Sequence, residues 1–207
     1  LLKGGNAIDA SIAVLATLNV VRPQMSGAGG NGFFTIYDKA SGKIYSLNAT
    51  GAAPHGLEAS RVTNEDLHRG IQAGVVPGLL GGWIAALDRF GTMSLTELLE
   101  PAIEYATNGH PIEKSVTEAI RDSQEIFKKF ASSRSVFLPN GQIPKPNTYF
   151  RMPHLAATFK KLTETEQYAL RQGKSRSKAL QDVFDRFYRG DIAREIVAFY
   201  EKHGGLF

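Results

Sequence analysis

Any chemistry done by this chain must come from a short set of residues. The densest is Ser26-Gly27-Ala28-Gly29-Gly30-Asn31-Gly32-Phe33-Phe34, where Gly27, Gly29 and Gly32 meet the G-x-G-x-x-G spacing of a dinucleotide-binding loop. Such a loop holds pyrophosphate between an incoming strand and an outgoing helix, whose first N–H groups face the anion. Here the order is reversed. The run Ala7 to Leu18 predicts a helix before the glycines, and Phe33 to Tyr37 predicts a strand after them. No Gly-Lys-Ser/Thr follows. The nucleotide reading falls, leaving glycines that permit bends and close packing between a buried helix and a buried strand. Ser26 is the one serine whose setting suits a nucleophile, yet no base can be assigned to it and no G-x-S-x-G elbow is present. His55, His68, His110, His154 and His203 show no H-x-x-H or H-E-x-x-H spacing. His154 follows Pro153 at a helix start and His203 sits at a helix end, where a cation suits the dipole. Glu97, Glu100 and Glu104 read as a solvated helix face. Asp9, on an apolar helix with no partner nearby in sequence, reads as a structural carboxylate. The residues imply no metal or cofactor, and no catalytic set emerges from them.

The elements that would position these residues are readable in outline. Asn6 predicts an N-cap for the first helix, whose faces are apolar nearly all round and so expected to be buried on several sides. Phe33–Tyr37 and Ile44–Asn48 predict a β-hairpin with two largely apolar faces, placed inside a layered core. Leu79 to Phe90 predicts a helix closed by Gly91. Ser94-x-x-Glu97 is a capping box opening the next, with Pro101 marking a kink or a fresh start. Further helices are expected around Lys114–Phe130, His154–Leu162, Ser177–Phe187 and Ile192–His203, the last stopped by Gly204-Gly205. Residues 136–150 read as a loop with one short strand at most.

Composition bounds the rest. With 207 residues, 43% hydrophobic and 21% charged, the chain can bury a sizeable core. The net charge of +4 is scattered, and its densest part, Arg171 to Lys178, reads as a solvated loop and not as a nucleic-acid site. Cysteine is absent, which removes disulfides and thiol catalysis. No apolar run reaches the roughly 18 residues that a membrane span needs, and no signal peptide is visible. The compartment stays open. Leu1 at one end and Leu206-Phe207 just past a helix cap at the other lead us to expect more chain on both sides.

Four segments, in order, carry a resemblance: Gly4-Gly5-Asn6-Ala7-Ile8-Asp9-Ala10; Arg22-Pro23-Gln24-Met25 running through Phe33; Gly74-Val75-Val76-Pro77-Gly78; and Phe187-Tyr188-Arg189-Gly190-Asp191-Ile192-Ala193 with His203-Gly204-Gly205-Leu206. Together they resemble the large-subunit portion of the γ-glutamyltranspeptidase family, across essentially all of residues 1–207. The resemblance implies one domain, an α+β fold that is the helix-rich part of a four-layer αββα Ntn-hydrolase sandwich. It further implies a precursor that cuts itself into two subunits. The new N-terminal Thr of the small subunit then attacks an amide, with its own α-amine as base, and forms an acyl-enzyme. The nucleophile would lie outside this chain, which would supply scaffold, pair with the small subunit and be inactive alone.

One position departs from the family pattern. After the hairpin, members acting on γ-glutamyl compounds carry Arg-Glu-x-Ala-Pro, whose Arg pairs with the substrate's α-carboxylate. Here the segment is Thr50-Gly51-Ala52-Ala53-Pro54. A neutral hydroxyl cannot replace a bidentate guanidinium–carboxylate pair. The expectation is an acylase or amidohydrolase with altered acyl specificity and Thr50 as a substrate-side residue. A true γ-glutamyltransferase or glutathione hydrolase, and a non-catalytic scaffold of the same fold, remain as alternatives.

Overall fold

The computed structural model describes residues 1–68 and 70–207. In chain order, α1 (Ala7–Val21) leads to the hairpin β1 (Gly32–Asp38) and β2 (Lys43–Ala49), then α2 (Asn64–His68), α3 (Leu79–Phe90) and α4 (Leu95–Asn108). A short strand β3 (His110–Pro111) precedes α5 (Lys114–Asp122), α6 (Gln124–Lys129) and α7 (Ala131–Phe137). The chain ends with β4 (Tyr149–Phe150), α8 (Pro153–Arg171), α9 (Arg176–Tyr188) and α10 (Asp191–His203). These elements fall into two compact units, each assembled from two stretches: Leu1–Gly27 with Met93–Glu164, and Ala28–Thr92 with Thr165–Phe207.

The first unit is built on α1 against α4. Asn6 caps α1 as expected: its Oδ1 accepts from the N–H groups of Ile8 (2.9 Å) and Asp9 (3.2 Å). Asp9 completes the capping box by accepting the Asn6 N–H at 2.8 Å, and its other oxygen takes the Met93 N–H at 3.1 Å. A carboxylate that is 1% exposed is thereby given backbone donors, as a structural role requires; one partner, Asn6, lies three residues away, against the expectation of none nearby, and the other, Met93, is remote. Ile12, Ala16 and Val20 on α1 are fully buried, as are Leu95, Leu99, Ala102 and Ala106 on α4. The burial is one-sided, however: Val14 on the opposite face is 57% exposed.

The Ser94 and Glu97 side chains form the expected reciprocal cap of α4, which then runs through Pro101 without a fresh start. Pro101 is exposed, so water can serve the carbonyl that its missing N–H leaves free. The helix expected over Lys114–Phe130 is broken at Ser123, where φ −102° and ψ 6° separate α5 from α6. Beyond it, Ile112, Val116, Ile120, Leu138 and Phe150 form a second core cluster, with β3 pairing antiparallel to β4 at its edge.

The second unit is built on the hairpin against α3. Its register runs from Gly32 opposite Ala49 to Asp38 opposite Lys43, which turns Phe34 and Ile36 to the α3 side, both under a tenth exposed. A Cβ on Gly82 would land on the Ala49 side chain, so α3 can lie this close to the sheet only with glycine there. Gly78, at the N-cap of α3, has no side chain to offer, and Tyr188 from α9 does that work. Its hydroxyl accepts the Gly81 N–H at 2.9 Å and donates to the Pro77 carbonyl at 2.8 Å. Burial pushes the Tyr188 phenol above its ordinary pKa, keeping it protonated as this donation requires. Gly204, in the left-handed region at φ 76°, stops α10 as expected.

Candidate functional site

Three of the sequence segments meet around Thr50 in the second unit. Thr50 is the first residue past β2 and is exposed. Its N–H donates to Asn48 Oδ1 at 2.8 Å, a turn closed two residues back along the chain. The next N–H, of Gly51, donates to Asn31 Oδ1, also at 2.8 Å, across 20 residues of sequence. On its other side Gly51 lies against the Val76 carbonyl, where any Cβ would collide with backbone. Val76 N–H in turn donates to Ala52 O at 3.0 Å. One residue before Asn31, the Gly30 carbonyl accepts the N–H groups of Gly78 (3.1 Å) and Leu79 (2.9 Å) at the start of α3. The glycine loop, the Thr50–Pro54 segment and Val76-Pro77-Gly78 are thus tied by backbone groups into one ridge.

The ridge is electrically neutral. None of residues 28–31, 48–54 or 75–79 is Lys, Arg, Asp or Glu. It offers carboxamides, a hydroxyl and backbone, which can orient an uncharged carbonyl or amide but cannot neutralise a carboxylate. The sequence reading had singled out Thr50 alone. Asn48, two residues before a turn, carried a readable Asx-turn signal; Asn31 carried none, because its partner is remote in sequence.

The remaining candidates are dispersed. Ser26 belongs to the first unit, where its Oγ accepts the Asn19 Nδ2–H at 2.9 Å. A carboxamide donor is no base, so the bond holds the serine without activating it. His55, His68 and His154 are exposed, and His203 stands 4.4 Å from the Phe199 ring. His110 differs. It is buried, set edge-on to the rings of Tyr105 and Phe150, and neither ring nitrogen has a hydrogen-bond partner. Burial lowers its pKa below the ordinary 6.5, partly opposed by the Glu113 carboxylate. Among the described residues, no three His, Cys, Asp or Glu side chains are grouped to hold a metal ion.

The hairpin face turned away from α3 is bare. Phe33, Tyr37 and Ile44 are 74%, 66% and 72% exposed, and Tyr37 and Ile44 are cross-strand partners. The sequence expectation of two apolar faces holds for composition, but within this chain only one face is covered. Among the described residues no helix is long and apolar enough to cross a membrane.

Comparisons with known proteins point to one family. The family model described as gamma-glutamyltranspeptidase matches residues 1–207. The chain is 37% identical over 196 residues to the glutathione hydrolase proenzyme of Bacillus subtilis, covering 90% of this chain and 33% of that protein. It is 33% identical over 204 residues to the oxamate amidohydrolase proenzyme of Klebsiella pneumoniae, covering 95% of this chain and 35% of that one. The solved γ-glutamyltranspeptidase of Helicobacter pylori superposes with a TM-score of 0.83 at 29% identity, over 100% of this chain and 56% of its own. The chain spans about a third of the length of the curated relatives it matches. Its fold is accordingly α+β, the helix-rich part of an αββα Ntn-hydrolase sandwich.

Proposed function

The chain belongs to the γ-glutamyltranspeptidase family, and we propose that residues 1–207 form part of the large subunit of an amide-cleaving acylase whose acyl donor lacks a free α-carboxylate at the Thr50 position. In this reading the nucleophile is the N-terminal Thr of a small subunit cut from the same precursor. Its hydroxyl attacks the amide carbon while its α-amine takes the proton. The α-amine passes that proton to the substrate nitrogen as the C–N bond breaks and the product amine leaves, and the acyl group then passes to water or to an acceptor amine. The present chain is the scaffold and one wall of the donor site, and is inactive alone. The dispersed histidines and the unactivated Ser26 agree with a nucleophile supplied from elsewhere.

The observation that carries the donor preference is the neutral ridge around Thr50. An α-carboxylate buried there by the assembled site without its guanidinium partner would cost on the order of 2–5 kcal/mol. The kinship to an oxamate amidohydrolase proenzyme supports donors other than γ-glutamyl compounds. The kinship to a glutathione hydrolase proenzyme favours the second reading, a γ-glutamyl hydrolase whose cation comes from another segment.

The test uses the full-length protein and a panel of γ-glutamyl, other N-acyl and small amide donors. Intact mass should show two chains, and the favoured donors should be non-γ-glutamyl. Thr50→Arg should then raise kcat/KM for a γ-glutamyl donor about tenfold or more. Wild-type activity confined to γ-glutamyl donors would overturn the reading, and a precursor that never splits would leave the scaffold alternative.

A further inference from the structure

We propose that Asn31 is a positioning residue for the donor site, its carboxamide oxygen setting where the Thr50–Gly51 backbone stands. The proposal rests on the reading of Thr50 as a substrate-side residue and adds what holds it in place. The bonds run outward from a rigid element, α3. The first N–H groups of α3 grip the Gly30 carbonyl, which fixes the backbone on which Asn31 is carried. Asn31 Oδ1 then takes the Gly51 N–H at 2.8 Å, and the Val76 carbonyl blocks Gly51 from behind. Asn48 holds the Thr50 N–H from within the same turn. That bond closes the turn on itself but does not tie it to anything else. Among the described side chains, the Asn31 contact is the one that joins the Thr50 turn to the segment anchored on α3.

Asn31 is exposed and buries nothing, so packing gives no reason for a carboxamide at this point in a run of glycines. An exposed hydrogen bond adds little to global stability. Its effect is local: it narrows the positions open to Thr50, which is how a site gains preorganisation.

The experiment uses the full-length protein with Asn31→Ala and Asn31→Asp. Aspartate keeps an acceptor oxygen but loses the NH2 group, so it separates holding the loop from donating to substrate. With the best uncharged amide donor, Asn31→Ala should raise KM about tenfold while kcat moves by less than about threefold. Amide exchange in the peptide covering residues 48–54 should speed up in Asn31→Ala, with no matching loss of Tm. Asn31→Asp should restore both KM and exchange. Unchanged exchange, unchanged KM, or an Asn31→Asp as impaired as Asn31→Ala would each overturn the proposal. Thr50→Arg, run alongside, keeps the two claims apart. If it leaves donor choice unchanged while Asn31→Ala raises KM and Asn31→Asp rescues it, Asn31 stands and the reading of Thr50 fails.

Discussion

The two strand pairs of this chain differ in length and in how much apolar surface they leave outward. β3 and β4 are two residues each; His110 and Phe150 on their inner side are buried, while Pro111 and Tyr149 face outward. The hairpin β1–β2 has strands of seven residues and apolar side chains on both faces, yet one face is bare. The longer and more apolar pair therefore leaves the larger apolar face uncovered. The short pair is completed by α5, α7 and the loop between α7 and β4, all contributed by this chain. The long pair has α3 on one side and needs a second layer on the other. An antiparallel sheet made to face water alternates apolar and polar residues, whereas one buried on both sides does not. Phe33, Tyr37 and Ile44 on the bare face fit the second kind, in line with the layered sandwich of the family.

Three substitutions in the full-length protein would break or sharpen this contrast. Phe150→Ala should be the most damaging, at about 3–5 kcal/mol by denaturant unfolding, because a closed cluster cannot collapse onto the cavity. Phe33→Ala should cost about 1.5–3 kcal/mol even though Phe33 is 74% exposed in this chain, since the second layer would cover it. A loss below about 0.5 kcal/mol would show that the face stays in water and that the contrast is not one of completion.

The smallest effect concerns His110, in β3. With its folded pKa below the ordinary 6.5, the unfolded chain takes up the proton first as the pH falls. The stability tied to the neutral ring is thus complete above about 6.5 and is lost as the pH drops through that value toward the folded one. His110→Phe, which keeps an apolar ring between Tyr105 and Phe150, should flatten the fall of Tm between about pH 7.5 and 5. Parallel curves for the two proteins would show that the closed pair admits water.

How much was legible follows the range of the forces involved. The N-cap at Asn6, the box at Ser94–Glu97 and the bounds Leu79–Phe90 were readable because their hydrogen bonds close within a turn of their own residues. The hairpin was readable from its alternation. By contrast, Ala131–Phe137, rich in serine, was expected to be partly loop; its Phe137 ring stacks on Phe127 at 4.6 Å and joins the buried cluster, which outweighs weak propensity. The break at Ser123 and the run of α8 to Arg171, well past the expected Leu162, also departed from the expected bounds. At the site, the segments holding Asn31, Thr50 and Val76 were all visible in the family pattern, but their meeting at one place was not.

By itself the sequence determined the chain's family, its capped helices, its hairpin and the neutrality of the Thr50 segment, since these depend on residue identity and on bonds a few residues long. Only the tertiary structure decided which hairpin face is covered and that β3 pairs with β4. It also decided that Asn31, Gly51 and Val76 meet at Thr50. Those outcomes depend on groups 20 or more residues apart competing for the same space and the same donors, and no local pattern records who wins.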